Sequence, residues 1–443
     1  MKGSESPSPG ALDDDHILEE ARSCFLKILE SNDYKDQECG GATGAIWQEN
    51  IKSHLDIIVR TAPSLRQMFD YLNRHAFYDI NFGSRRLLEK ATAWRHEKFF
   101  KSVPNASPSL ISESTLISED RLFHIDQHVV SSDLIWRLSI LQRLTKKIDF
   151  PKETFSILEI GGGYGSLART INTIHTNCKY IMIDLPHSLV FQYCYLKNSF
   201  PNKKHVFVTN PDEVVPKDAD FVYIPHKWSR LLNSEEIFLT INTNSFGEMP
   251  SSESLRYIDF IQSTIKTEYL FSLNRFLNRI NNSDTSRHSC LGYAFEFDKK
   301  WDIVDWEIDP DYERCPILAS LLSRNLHMIL RRREHNCEFD HSKVAELLYE
   351  DWNTRLFWKS YELMSGGRLG LEFPAPMTRA DRELTPDLTT TGTLFCLWDA
   401  YRLSRDSLKK PLATAIVEYL SYLSCSERQF EEVLYLNTIA SEE

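Results

Sequence analysis

The 443-residue chain lacks any excess of positive charge: 51 Lys and Arg stand against 63 Asp and Glu, a formal net charge of −12, with an isoelectric point near 5.7. A nucleic-acid partner requires a basic face that neutralises phosphates, so this balance argues against one, and against RNA or DNA as substrate. Long apolar runs are missing too. No uncharged apolar run reaches 18 residues, which argues against a membrane-spanning helix. Met1 to Asp15 is polar, with serine, proline and three aspartates where a secretory signal would carry an apolar core. The nine cysteines form no C-x-x-C pair and no even framework, the pattern of reduced, mostly buried thiols in a cytoplasmic protein. No carboxylates pair at a compelling ligand spacing, so no metal is expected. A hydrophobic fraction of 42% permits real cores, and the length exceeds what one core usually fills, so two or three domains are expected.

Glycine is also scarce, 16 in all, and four of these fall in residues 161–165. The segment Phe155-Ser-Ile-Leu-Glu-Ile-Gly-Gly-Gly-Tyr-Gly165 is a β-branched apolar run that ends in a carboxylate and then a glycine loop. Leu167, Ile171 and Ile174 follow at helical spacing, so the loop sits at a strand-to-helix turn. There, glycines permit positive φ and let a ligand approach backbone N–H groups at a helix start. The same spacing also suits a turn that only makes room for helix packing. A dinucleotide fingerprint from Gly161 fails at Ser166, and the frame Gly163-x-Gly165-x-x-Ala168 fits loosely. A second apolar run, Lys179-Tyr-Ile-Met-Ile-Asp184, ends in a carboxylate about 20 residues beyond the loop. At a strand's carboxyl end Asp184 can accept from two vicinal ribose hydroxyls.

The series acidic-x-Gly-x-Gly-x-Gly, from Glu159 through Gly165, resembles motif I of the class I S-adenosylmethionine-dependent methyltransferases. Asp184-Leu-Pro, Ile241-Asn-Thr-Asn-Ser-Phe-Gly-Glu-Met249 and Tyr269-Leu-Phe-Ser-Leu-Asn-Arg275 are similar to a family described as sugar O-methyltransferases, over residues 80–334. The resemblance implies S-adenosyl-L-methionine as cofactor, bound by Glu159, Gly161, Gly162, Gly163, Gly165, Asp184, Leu185, Asn242 and Asn244, with a sugar hydroxyl as acceptor. A carboxylate suits that cofactor because its sulfonium and α-amino groups are cationic.

The resulting expectation is an α/β fold: a doubly wound, mostly parallel, seven-stranded Rossmann-like methyltransferase sheet flanked by helical N-terminal and C-terminal regions. Residues 1–15 read as a disordered tail, 16–150 as a helical cap or dimerisation arm, 151–334 as the methyltransferase core and 335–443 as a C-terminal helical module. Strands are expected at 155–160, 179–184, 205–208, 220–225, 237–242 and 268–274, with a closing hairpin from 301–307 and 325–331. The helical regions are candidates for homo-oligomer contacts.

Methyl transfer to oxygen needs a positioned acceptor and a base for its proton. Glu248, just past a strand end, is the first candidate, and His288 in the 281–291 loop is the rival. Asn242 and Asn244 suit hydroxyl orientation or a turn. Three alternatives stay open: a phenolic or polyketide-type acceptor, a catalytically silent scaffold of the same fold, and a nicotinamide oxidoreductase.

Overall fold

The computed structural model describes residues 14–35, 51–75, 85–102, 110, 112–126, 128–233, 235–249, 251–275, 301–308 and 325–332. Residues 1–13 of the expected tail, the 281–291 loop with His288 and the expected module 335–443 lie outside the described residues.

Short β-branched runs make strands wherever both faces can be covered. They become β1 (Leu122–Ile125), β2 (His128–Ser131), β3 (Phe155–Ile160), β4 (Cys178–Asp184), β5 (His205–Phe207), β6 (Phe221–Pro225), β7 (Glu236–Thr243), β8 (Lys266–Arg275), β9 (Trp301–Ile308) and β10 (Asn325–Arg332). Eight of these, β3 to β10, belong to one mostly parallel sheet, one more than the seven expected for the sheet, although each of the eight segments read above as strands, the edge segment 205–208 included, forms one. The chain divides into two compact units between Ile241 and Asn242.

In the first unit the strand order is β5-β6-β4-β3-β7, and every pairing is parallel. Glu159 of β3 lies opposite Met182 of β4 on one side and Ile241 of β7 on the other. Because β4 and β7 flank β3 on opposite sides, the connections reverse direction at β3. Open α/β sheets bind ligands at the carboxyl ends beside such a reversal. Ile157, Leu158, Ile160, Ile181, Ile183, Val222 and Ile224 are fully buried, at about 1.5–3 kcal/mol each. That burial on both faces is why these strands read as continuous apolar runs.

The helix Pro186–Ser199 starts with proline at its first position, where no N–H is needed, and residues 186–196 are all buried. Helices from the N-terminal region pack on it. Phe25 meets His187 edge-on at 4.8 Å, and Phe69 packs on Phe191 and Tyr195 at 6.4 and 5.8 Å. At this seam His187 Nε2 lies 3.2 Å from Asp56, and N-terminal Asp33 accepts from Trp228 Nε1 at 2.6 Å. The His187 hydrogen bond holds the Asp56 carboxyl below its usual range.

One correction concerns the region 16–150, read above as a helical cap or arm. β1 and β2 form an antiparallel hairpin there, with Phe123 opposite Val130 and Asp126 at φ 52° in the turn. Two four-residue strands contain too few alternations to stand out against helical periodicity on either side. The flanking helix Ser132–Lys147 is capped by Ser131, whose Oγ accepts from Leu134 N at 2.9 Å.

In the second unit β10 pairs antiparallel with both β8 and β9, with a register shift at Ile329/Leu330. The helix Ser251–Asp259 precedes β8, and its Ser254 donates to Phe246 O at 2.9 Å.

Candidate functional site

The loop after β3 is held by backbone geometry that side chains would resist. Gly161, Gly163 and Gly165 have φ of 73°, 63° and 96°, left-handed conformations that cost other residues about 1–2 kcal/mol. Gly161 N donates to Ile183 O at 2.9 Å, tying the loop to the end of β4, and Gly165 N donates to Gly162 O at 3.1 Å. Gly162 is required for a different reason. A β-carbon there would lie 2.9 Å from Glu159 Oε2, so the loop passes directly over that carboxyl. Gly165 then opens the helix Ser166–Ile174, which has no side-chain cap, so its first-turn N–H groups lack an intrahelical partner at the end of the loop.

Glu159 is buried, at 1% exposure. Tyr180, on the adjacent strand, donates to its Oε2 at 2.9 Å, while Oε1 has no hydrogen-bond partner among the described residues. Burial pushes the carboxyl up to about 7, against the opposing pull of the Arg137 charge. Arg137 pairs with Asp133 at 3.4 Å, and Asp133 accepts from the loop's own Tyr164 hydroxyl at 2.7 Å. The helix Ser132–Lys147 therefore contributes a half-buried charged pair to the surroundings of the loop.

Asp184 closes β4, half-buried. Its Oδ1 accepts from Leu185 N at 2.8 Å and its Oδ2 from Gln192 Nε2 at 2.6 Å. Desolvation pushes this carboxyl up to about 7 even though part of it meets solvent, and the Glu159 charge adds to that rise. Gln192 Nε2 also donates to Gly163 O at 3.0 Å. The Ser188 side chain, one turn earlier, also favours the charged form of Asp184. Leu196, one turn later, lies 3.3 Å from where a Gly165 β-carbon would sit. Gln192 and Ser188 were missed in the sequence; the available signal was the spacing of 184, 188, 192 and 196, one helix face read from the strand-end aspartate.

The structure thus brings together Glu159, Gly161, Gly162, Gly163, Gly165, Asp184 and Leu185 in the first unit. Asn242, Asn244 and Glu248 belong to the second and form a turn of their own. Asn242 is fully buried, its Oδ1 accepting from Phe246 N at 3.0 Å and from Asn274 Nδ2 at 2.9 Å. Asn244 has φ 57°, donates its N–H to Leu273 O at 2.8 Å and leaves Oδ1 without a hydrogen-bond partner among the described residues. Glu248 ends the short helical turn Phe246–Glu248, half-buried, with its N–H bonded to Ser245 O at 3.0 Å.

Among the described residues, no group of three or more His, Cys, Asp and Glu side chains is placed to hold a metal ion, and no helix is long and apolar enough to cross a membrane. Cys178 and Cys194 are buried free thiols whose acidity burial suppresses, which makes them poor nucleophiles.

No protein-family profile and no curated protein matches the chain. Among solved structures it is similar to the small RNA methyltransferase HEN1, at 12% identity over 46% of this chain and 25% of that one, with a TM-score of 0.32. It is also similar to a variant of LepI, solved with SAH and a substrate analogue, at 10% identity over 72% and 86% of the two chains and a TM-score of 0.28. M. capricolum TrmK, solved with S-adenosyl-homocysteine, matches at 11% identity over 64% and 96%, with a TM-score of 0.29. The chain spans about a quarter of the first of these. Likenesses this distant carry no argument about chemistry; the Rossmann-like α/β arrangement is read from the chain's own strand order.

Proposed function

We propose that the chain is an S-adenosyl-L-methionine-dependent O-methyltransferase whose acceptor is a hydroxyl of a sugar or of a glycosylated small molecule. The observation that carries the donor half is Glu159: a buried carboxyl, directly beneath a glycine loop, with one oxygen left unpartnered among the described residues. Burying an unpaired carboxylate oxygen is costly unless a cationic or hydrogen-bonding ligand meets it. The cofactor, when bound, supplies an electrophilic methyl group on a sulfonium. Glu159 would face its cationic end, the positive-φ glycines would let it reach backbone N–H groups, and Asp184 would accept from its ribose hydroxyls. In this reading Leu185 N orients Asp184, and Asn242 and Asn244 are cofactor candidates on the family resemblance of their segment alone. Asn242 supports the turn through Phe246 and Asn274.

The acceptor half rests on the likeness of the Ile241–Met249 and Tyr269–Arg275 segments to sugar O-methyltransferases. Glu248 takes the acceptor's proton in this assignment, with His288 as the rival base.

Isothermal titration of the intact protein with S-adenosylhomocysteine tests the donor half. Binding is expected, with severe loss in Glu159→Ala and Asp184→Ala; an intact protein that fails to bind refutes it. Turnover with sugar and phenolic acceptors tests the other half, where Glu248→Gln should lower kcat by about a hundredfold or more. Methylation of phenols alone would reject the sugar assignment.

A further inference from the structure

The helix Pro186–Ser199 presents Ser188, Gln192 and Leu196 to the glycine loop and Asp184, one residue per turn. Gln192 is fully buried, and its Nε2 spends both hydrogens on acceptors from two different segments: Gly163 O at 3.0 Å and Asp184 Oδ2 at 2.6 Å. Since a carbonyl and a carboxylate can only accept, the amide nitrogen must be the end that faces them. We infer that Gln192 is a positioning residue that locks the strand-end aspartate to the glycine loop, so that the ribose and backbone contacts of the cofactor are preset together. This rests on the cofactor reading above.

The physical case is one of geometry. Asp184 has about four lone-pair sites, of which Leu185 N and Gln192 take one on each oxygen; the Ser188 side chain also favours the charged carboxyl. The remaining capacity is aimed by those donors. Without Gln192, Asp184 can rotate about its side-chain bonds and Gly163 O loses a buried donor, so the two halves of the cradle become independent. Glu159 on β3 is the charged group that faces Asp184, and it disfavours the charged aspartate, which leaves the Gln192 hydrogen bond as one of the interactions that maintain it.

Gln192→Leu removes both hydrogen bonds at similar volume. Expected in titrations with S-adenosylhomocysteine is a rise in Kd of about tenfold, and a shift to higher pH of the point at which acidification halves the affinity. In an Asp184→Asn background the same substitution should leave that pH midpoint in place, a result that general loosening of the helix would not produce. Should Gln192→Leu not fold, the isosteric Gln192→Glu is used instead. Its second carboxylate repels Asp184, so affinity should fall as pH rises above neutrality, opposite to the wild type. Wild-type binding with an unchanged Kd and midpoint in the variant that folds overturns this inference alone. An intact protein that binds no S-adenosylhomocysteine overturns it together with the cofactor reading.

Discussion

The glycine-loop cradle of the first unit and the Asn242–Asn274 pair of the second are both polar and buried, yet they treat their polar atoms in opposite ways. In the turn, Asn242 Oδ1 accepts from Phe246 N and Asn274, and Asn274 also reaches Ser272. In the cradle, Glu159 Oε1 and Gln192 Oε1 are buried with no partner among the described residues, and two carboxyls are pushed up to about 7. A folded chain tolerates such groups where something else repays their burial. Asn242 and Asn274 therefore serve stability, whereas Asn244 Oδ1 beside them shares the unpartnered state of the cradle oxygens among the described residues; in the proposed reading the cradle keeps that capacity for a ligand at stability's expense.

Glu159→Gln probes that difference most strongly. It should raise the Kd for S-adenosylhomocysteine about a hundredfold, the scale of one buried charge-assisted hydrogen bond. It should also change the pH dependence of the free protein. The carboxyl is raised from 4.5 to about 7, so the folded state holds a proton that the unfolded chain releases. Its share of stability, about 3 kcal/mol at roughly 1.4 kcal/mol per pH unit, is present at low pH and lost as pH rises through 7. Urea denaturation at pH 5 and pH 8 should show this loss in the wild type and a flatter profile in Glu159→Gln. A variant with the wild-type slope would remove the contrast.

Asn242→Ala should do the reverse, lowering unfolding free energy by about 2–3 kcal/mol while changing the S-adenosylhomocysteine Kd less than twofold, because it strands Phe246 N–H and weakens Asn274. A tenfold loss of affinity at unchanged stability would place the turn functionally with the cradle. Gly165→Ala is expected to cost about 1–2 kcal/mol, from φ of 96° and the close Leu196 contact, as read by thermal unfolding. The smallest effect is Ser188→Ala, about threefold in Kd, since Gln192 and Leu185 still hold Asp184.

Much of the first unit was legible in the residues. β3, the glycine loop, its helix, β4 and Asp184 follow from local rules: a buried apolar run, glycines where φ is positive, and a carboxylate at a strand end. The β1–β2 hairpin was not, because its strands are too short to display their period. Nor were the buried bonds that separate site from scaffold. Tyr180 to Glu159, Gln192 to Gly163 and Asn274 to Asn242 join residues 21, 29 and 32 positions apart.

By itself, the sequence determined the strand–loop–helix unit and the side chains at its mouth, since steric limits on φ and the periodicity of apolar residues act within a few positions. Only the tertiary structure decided that Glu159 keeps an oxygen unpaired among the described residues, that Asn242 turns inward and that Gln192 joins loop to aspartate. Those outcomes depend on strand register and on which helix face meets the loop, and contacts between segments distant along the chain set both.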